Sequence, residues 1–108
     1  MPPAIINSLL RIDDVTGVPQ PPFERPNDKM DFFVLELGLD DDVGNWCART
    51  TEILSANAEF LGRMRGAGSN VALFVESAAS VPVLRFEASF LGVLAKAGIS
   101  LGCRHEDD

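Results

Sequence analysis

Ala4 to Ile12 is a short run of apolar positions broken only by Asn7, Ser8 and Arg11. That pattern predicts a strand with Ile6, Leu10 and Ile12 on one face and Ile5 and Leu9 on the other. Asp13 and Asp14 end it. Met30 to Leu39 reads as the strongest strand in the chain. Phe33, Leu35, Leu37 and Leu39 face one way, and Phe32 and Val34 face the other. A strand apolar on both faces is usually covered on both.

After Asp40, Asp41 and Asp42 the period changes. Val43, Trp46, Cys47, Thr50, Ile53, Leu54, Leu61 and Met64 recur three and four residues apart, which predicts a long helix. Asn57 before Ala58 and Glu59 has the form of a fresh N-cap, so a break is expected at Ser55 to Asn57. Gly66 and Gly68 stop the helix. Val71 to Glu76 reads as a third strand, with Val71, Leu73 and Val75 on one face and Phe74 opposite. Val81 to Phe86 is extended, and Pro82 makes it an edge or irregular segment.

Glu87 to Ala97 predicts a second helix whose inner face is Phe90, Leu91, Leu94 and Ala97. Gly98 supplies a left-handed residue after it, and Ile99 can close the contact of a Schellman motif. Leu101 to His105 is a last short strand. The order β-β-α-β-(β)-α-β predicts an α+β fold. Its simplest packing is a two-layer sandwich, an antiparallel-rich sheet of four or five strands with two helices on one face.

Val15 to Lys29 interrupts this scheme. Gly17, Pro19, Pro21, Pro22 and Pro26 exclude a helix or a central strand. Phe23 is its only large apolar anchor. Loops this long are uncommon in compact domains and are often functional. The expectation is that this loop serves binding rather than folding.

A chain of 108 residues predicts a single domain spanning 1–108. Its apolar content of 46% is globular, and no apolar run reaches membrane-helix length. A net charge of -7 disfavours nucleic acid as a partner and favours solubility or steering toward a basic protein. No signal-peptide pattern is expected from Met1 onward, and two cysteines do not make a disulfide scaffold. The expected setting is the cytoplasm.

Leu61, Met64 and Gly68 lead into the strand Val71 to Val75. Leu84-Arg85-Phe86, Phe90-Leu91, Leu94-Ala95 and Gly98-Ile99-Ser100-Leu101 follow. This second half of the chain resembles a bacterial family known as domain of unknown function 4279. The first half departs from it: members tend to carry a short helix and a Trp-x-x-Gly-like element after the first strand. Here the Pro-rich loop stands in that place, and the only tryptophan is Trp46. The resemblance implies a fold and no activity.

Chemistry-bearing residues are few. Asp40, Asp41 and Asp42 have the oxygen ligands a cation takes, but consecutive residues diverge, and carboxylates at a helix start suit its dipole and free N–H groups. Cys103, His105 and Asp107 alternate along one face of a strand. They are credible zinc ligands, but they span too much length for a compact tetrahedron without a remote fourth group. Cys47 with His105 is a candidate nucleophile and base, although Cys47 falls on the apolar stripe beside Trp46. A Cys47–Cys103 disulfide requires helix and strand to meet there. Gly66-Ala67-Gly68 follows a helix and enters a strand, the reverse of a phosphate-binding loop.

The sequence therefore points to a small acidic protein-interaction or inhibitor-type module without catalytic activity or cofactor. The alternative is a thiol- or metal-dependent enzyme or ligand-binding domain using Cys47, Cys103 and His105. Binding candidates are Phe23, Phe32, Val34 and Asp40 to Asp42. Because two helices cover one side of a sheet apolar on both, a homodimer is expected, with a different protein as the rival cover.

Overall fold

The computed structural model describes residues 3–78 and 84–105. β1 (Ile5–Asp13) and β2 (Phe32–Glu36) are followed by α1 (Val43–Ala56), α2 (Ala58–Gly66) and β3 (Asn70–Ser77). α3 (Ala88–Ala97) and β4 (Ser100–His105) complete the order. The strands form one sheet in the order β2-β1-β3-β4. β1 runs antiparallel to both neighbours, and β3 and β4 are parallel. α3 supplies the crossover that a parallel pair requires. The predicted α+β architecture is the observed one. No helix among the described residues is long and apolar enough to cross a membrane.

The core lies between the helices and one face of the sheet. Leu10 and Ile12 of β1, Phe33 of β2, and Val71, Leu73 and Val75 of β3 meet Trp46 and Leu54 of α1. Phe60 and Leu61 of α2 and Phe90 and Leu94 of α3 complete the same cluster. Trp46 makes an aromatic group with Phe86 and Phe90 at centroid distances of 5.7 and 5.5 Å. Such tilted pairs set an aromatic edge against a neighbouring face.

The face assignment of β1 needs one correction. Ile5 pairs with Ser77 and Asn7 with Glu76, so Ile6 is an extra residue in the strand. This bulge reverses the alternation. Ile5, not Ile6, joins Leu10 and Ile12 in the core. β2 is also shorter than its alternation suggests. Gly38 has φ 74°, and the N–H groups of Leu37 and Gly38 both donate to the Ser8 carbonyl. The chain turns out of the sheet there and leaves Leu39 61% exposed.

The predicted helix break occurs at Asn57, by a different device. Its side chain does not cap α2; Nδ2 donates back to the Ile53 carbonyl at 2.8 Å, closing α1. At the end of α3, Gly98 has φ 69°. Its N–H donates to Ala95, and Ile99 N–H donates to Leu94, the two bonds of a Schellman motif. Leu94 and Ile99 are both buried, as that motif favours. Leu91 is 42% exposed and is not on the inner face. The predicted extended segment Val81 to Phe86 lies partly outside the described residues, and Leu84 to Phe86 form no strand.

The Pro-rich loop takes part in the fold, against the expectation. Phe23 is 3% exposed, with its ring centroid 5.2 Å from that of Phe60 on α2. Val15 is buried as well. Glu24 and Val34 exchange two backbone hydrogen bonds, of 2.9 and 2.8 Å, so the loop covers the outer edge of β2. Arg25 holds the loop to itself by donating to the Gly17 carbonyl.

Candidate functional site

The strand residues opposite the core form the second face of the sheet. Strand register puts Glu36, Leu9, Phe74 and Gly102 in one row across it. Val34, Arg11, Ala72 and Ser100 form the next row. Asn7, Glu76 and Arg104 flank the first row, and Phe32, Asp13 and Asn70 flank the second. None of the apolar members of this face belongs to the core cluster. Among the described residues, the helices lie on the other side.

Phe74 dominates the centre and is 43% exposed. Its ring lies against Gly102: a Cβ there would sit 3.0 Å from the ring. A depression of about 330 Å³ opens beside it, lined by Asn7, Leu9, Glu76 and Arg104. Phe32, one of the predicted binding residues, lies under the Arg11 guanidinium at 3.9 Å from its centroid. That is a cation–π distance. Arg11 also pairs with Asp13 at 2.7 Å. Phe32 and Val34 are both half-buried on this face. Phe23, the third apolar candidate, is on the opposite side of the sheet, in the core.

The three aspartates lie at the turn into α1 and serve different purposes. Asp42 caps the helix, accepting from Asn45 N–H at 3.0 Å. Asp40 accepts from Asp42 N–H and from Arg49 Nε, each at 3.0 Å. The Asp42 N–H, opposed by partial burial and reinforced by Arg49, lowers the Asp40 carboxyl below the ordinary carboxylate value. The other Arg49 nitrogens donate to the Leu37 and Leu39 carbonyls. Asp41 is exposed. The Asp40 and Asp42 carboxylates therefore hold the turn together, and neither is on the open face.

Cys47 is on α1, apart from Cys103 and His105, which lie two residues apart on β4. Cys47 lines a groove of about 670 Å³ between α1 and α3, with Val43, Phe90, Val93, Thr51 and Arg85. Burial, then the nearby negative charges of Glu87 and Asp42, push its thiol up. Cys103 is an exposed residue of the edge strand β4, and burial of its sulfur pushes that thiol up too. His105 Nδ1 is 2.9 Å from Ser77 Oγ. Both thiols are free. Among the described residues, no three of His, Cys, Asp and Glu converge as metal ligands. Asp107 lies outside the described residues.

Leu9, Phe74, Arg11, Glu36 and Arg104 join Phe32 and Val34 on the open face but were not among the sequence candidates. The alternation places Leu9 and Phe74 opposite the core, yet only strand register brings them together. A scan against protein-family models returns no match, and neither curated proteins nor solved structures supply one.

Proposed function

We propose that this chain is a non-catalytic interaction module that binds protein through its open sheet face. In this reading its partner is a second copy of itself, in a two-fold dimer, and its setting is the cytoplasm. The observation that carries the proposal is the apolar centre of that face, Leu9 beside a Phe74 ring that is 43% exposed. Contiguous apolar surface of this kind favours burial against a partner. A second copy is favoured over another protein because the face carries both charge signs, Arg11 and Arg104 with Glu36 and Glu76. Such a surface can be its own complement. Two free thiols fit a reducing compartment.

The resemblance to the domain of unknown function 4279 family belongs to the same reading, since it implies a fold without an activity. The thiol- or metal-dependent alternative has weaker support. A nucleophilic cysteine needs a lowered pKa, and both thiols here are raised.

Sedimentation equilibrium at micromolar concentration tests the proposal. The expected result is a species of twice the chain mass. A clean monomer of 11.7 kDa overturns the dimer and leaves the face to a different protein.

A further inference from the structure

The charges on the open face select between the ways in which two copies can meet. Face-to-face sheets pack with their strands roughly aligned, about 10 Å apart. A two-fold axis lying between two such faces runs either along the strands or across them.

An axis across the strands lays each strand on its own copy. The row holding Leu9 and Phe74 then faces the row holding Arg11 and Ala72. Arg11 comes to rest on Leu9 of the second copy, and Glu36 on Val34. Glu36 enters the interface without an opposite partner, which is costly, and Arg11 brings its charge onto an apolar residue with only its own Asp13 beside it.

An axis along the strands exchanges the strands of the sheet. β1 lies on β3 of the second copy, and β2 lies on β4. Leu9 meets Phe74 of the second copy, twice, at the centre. Glu36 lies over Gly102 of the second copy, one row from its Arg104. The aligned-packing angle displaces an edge strand by about 4 Å there, within reach of an arginine side chain. Arg11 faces Ala72 and keeps its own Phe32 and Asp13. No like charges face each other in this register.

Resting on the dimer reading above, we infer that the two copies meet about an axis parallel to the strands. Leu9 packs on Phe74 of the second copy, and Glu36 pairs with Arg104 of the second copy. This arrangement gives a use to the placement of Glu36 and Arg104 on the two opposite edge strands of the face. It also defines a partner chemistry: an apolar pair at the centre and two opposed ion pairs at the rim.

A charge exchange tests it on the full chain by sedimentation equilibrium. Glu36→Arg and Arg104→Glu singly should each weaken the dimer at least about tenfold, since each sets like charges against one another twice. The double variant should recover most of the wild-type affinity. Both positions are exposed, and circular dichroism verifies that each variant is folded. A wild-type dimer that tolerates both single substitutions overturns this axis while the dimer itself stands. A double variant that stays as weak as either single also overturns the axis. A wild-type monomer overturns both the axis and the dimer.

Discussion

The indole Nε1 of Trp46 donates to Ser8 Oγ at 2.8 Å, and that hydroxyl donates in turn to the Gly38 carbonyl at 2.7 Å. Both Trp46 and Ser8 are buried, so the relay ties α1, β1 and the turn after β2 together inside the core. A buried donor without a partner costs far more than a formed bond gains. Ser8→Ala leaves both the indole N–H and the carbonyl unpartnered. The expected loss is about 2 kcal/mol. Urea unfolding followed by the fluorescence of the single tryptophan measures it, and the slope with urea should not change.

Phe23→Ala removes a buried ring that packs on Phe60. The expected cost is about 3 kcal/mol, the lower end of the range for a buried Phe. Denaturant titration checks this. A change below about 0.5 kcal/mol would show that the loop merely rests on the domain.

At Gly98 the backbone is left-handed, and a Cβ would run into the Arg65 guanidinium. Gly98→Ala should therefore destabilise by about 1–2 kcal/mol, and Arg65→Ala in the same chain should recover part of that loss. The part due to φ alone would remain. Thermal unfolding of the two single variants and the double separates the two contributions.

Asp40 titrates below its ordinary value in the folded state. Its contribution is present above the unfolded carboxylate pKa and is lost as pH falls through the folded one. Stability should decline below about pH 4. Asp40→Asn should flatten that decline and lower neutral-pH stability by no more than about 1 kcal/mol, because Arg49 is largely exposed. Unfolding curves across an acid pH series provide the comparison.

Both cysteines should resist alkylation relative to a free thiol, with pH–rate midpoints above the ordinary cysteine value. A raised thiol pKa contributes stability below the unfolded pKa and loses it as pH rises through the folded one. Stability should therefore decrease at alkaline pH, and the Cys47→Ala, Cys103→Ala double variant should show less of that decrease. A reagent that modifies either thiol faster than it modifies free cysteine at neutral pH would contradict this.

What the sequence discloses and what it conceals divide along range of interaction. The period-two pattern in Phe32 to Leu37 and the break at Asn57 arise from neighbours within a few residues, as does the Schellman turn at Gly98. The exchange of Ile5 for Ile6 is different. It arises from pairing with Ser77 and Glu76, and nothing within β1 marks the extra residue. Phe23 likewise follows Phe60, far along the chain, rather than any local preference. Ser8 gave a signal that could be read: a lone hydroxyl in an apolar strand needs a buried donor or acceptor, and the chain has one tryptophan. For the open face, the alternation supplied Phe32, Val34, Leu9 and Phe74. The placement of Glu36 and Arg104 at opposite rims emerged only from the register of four strands.

β1 is an inner strand, bonded on one side to β2 and on the other to β3. Its second partner is remote: Ile12 is matched with Val71, on the far side of both α1 and α2. Closing a loop of that length carries an entropic cost that must be met before the contacts of β3 offset it. Assembly of the sheet is therefore a late event in time. α1 and α2 can form on their own local bonds, but no stretch of chain ending before β3 contains a complete sheet. A chain cut after α2 should collapse without cooperative unfolding, and chains that include β3 should be the first to show a sharp transition.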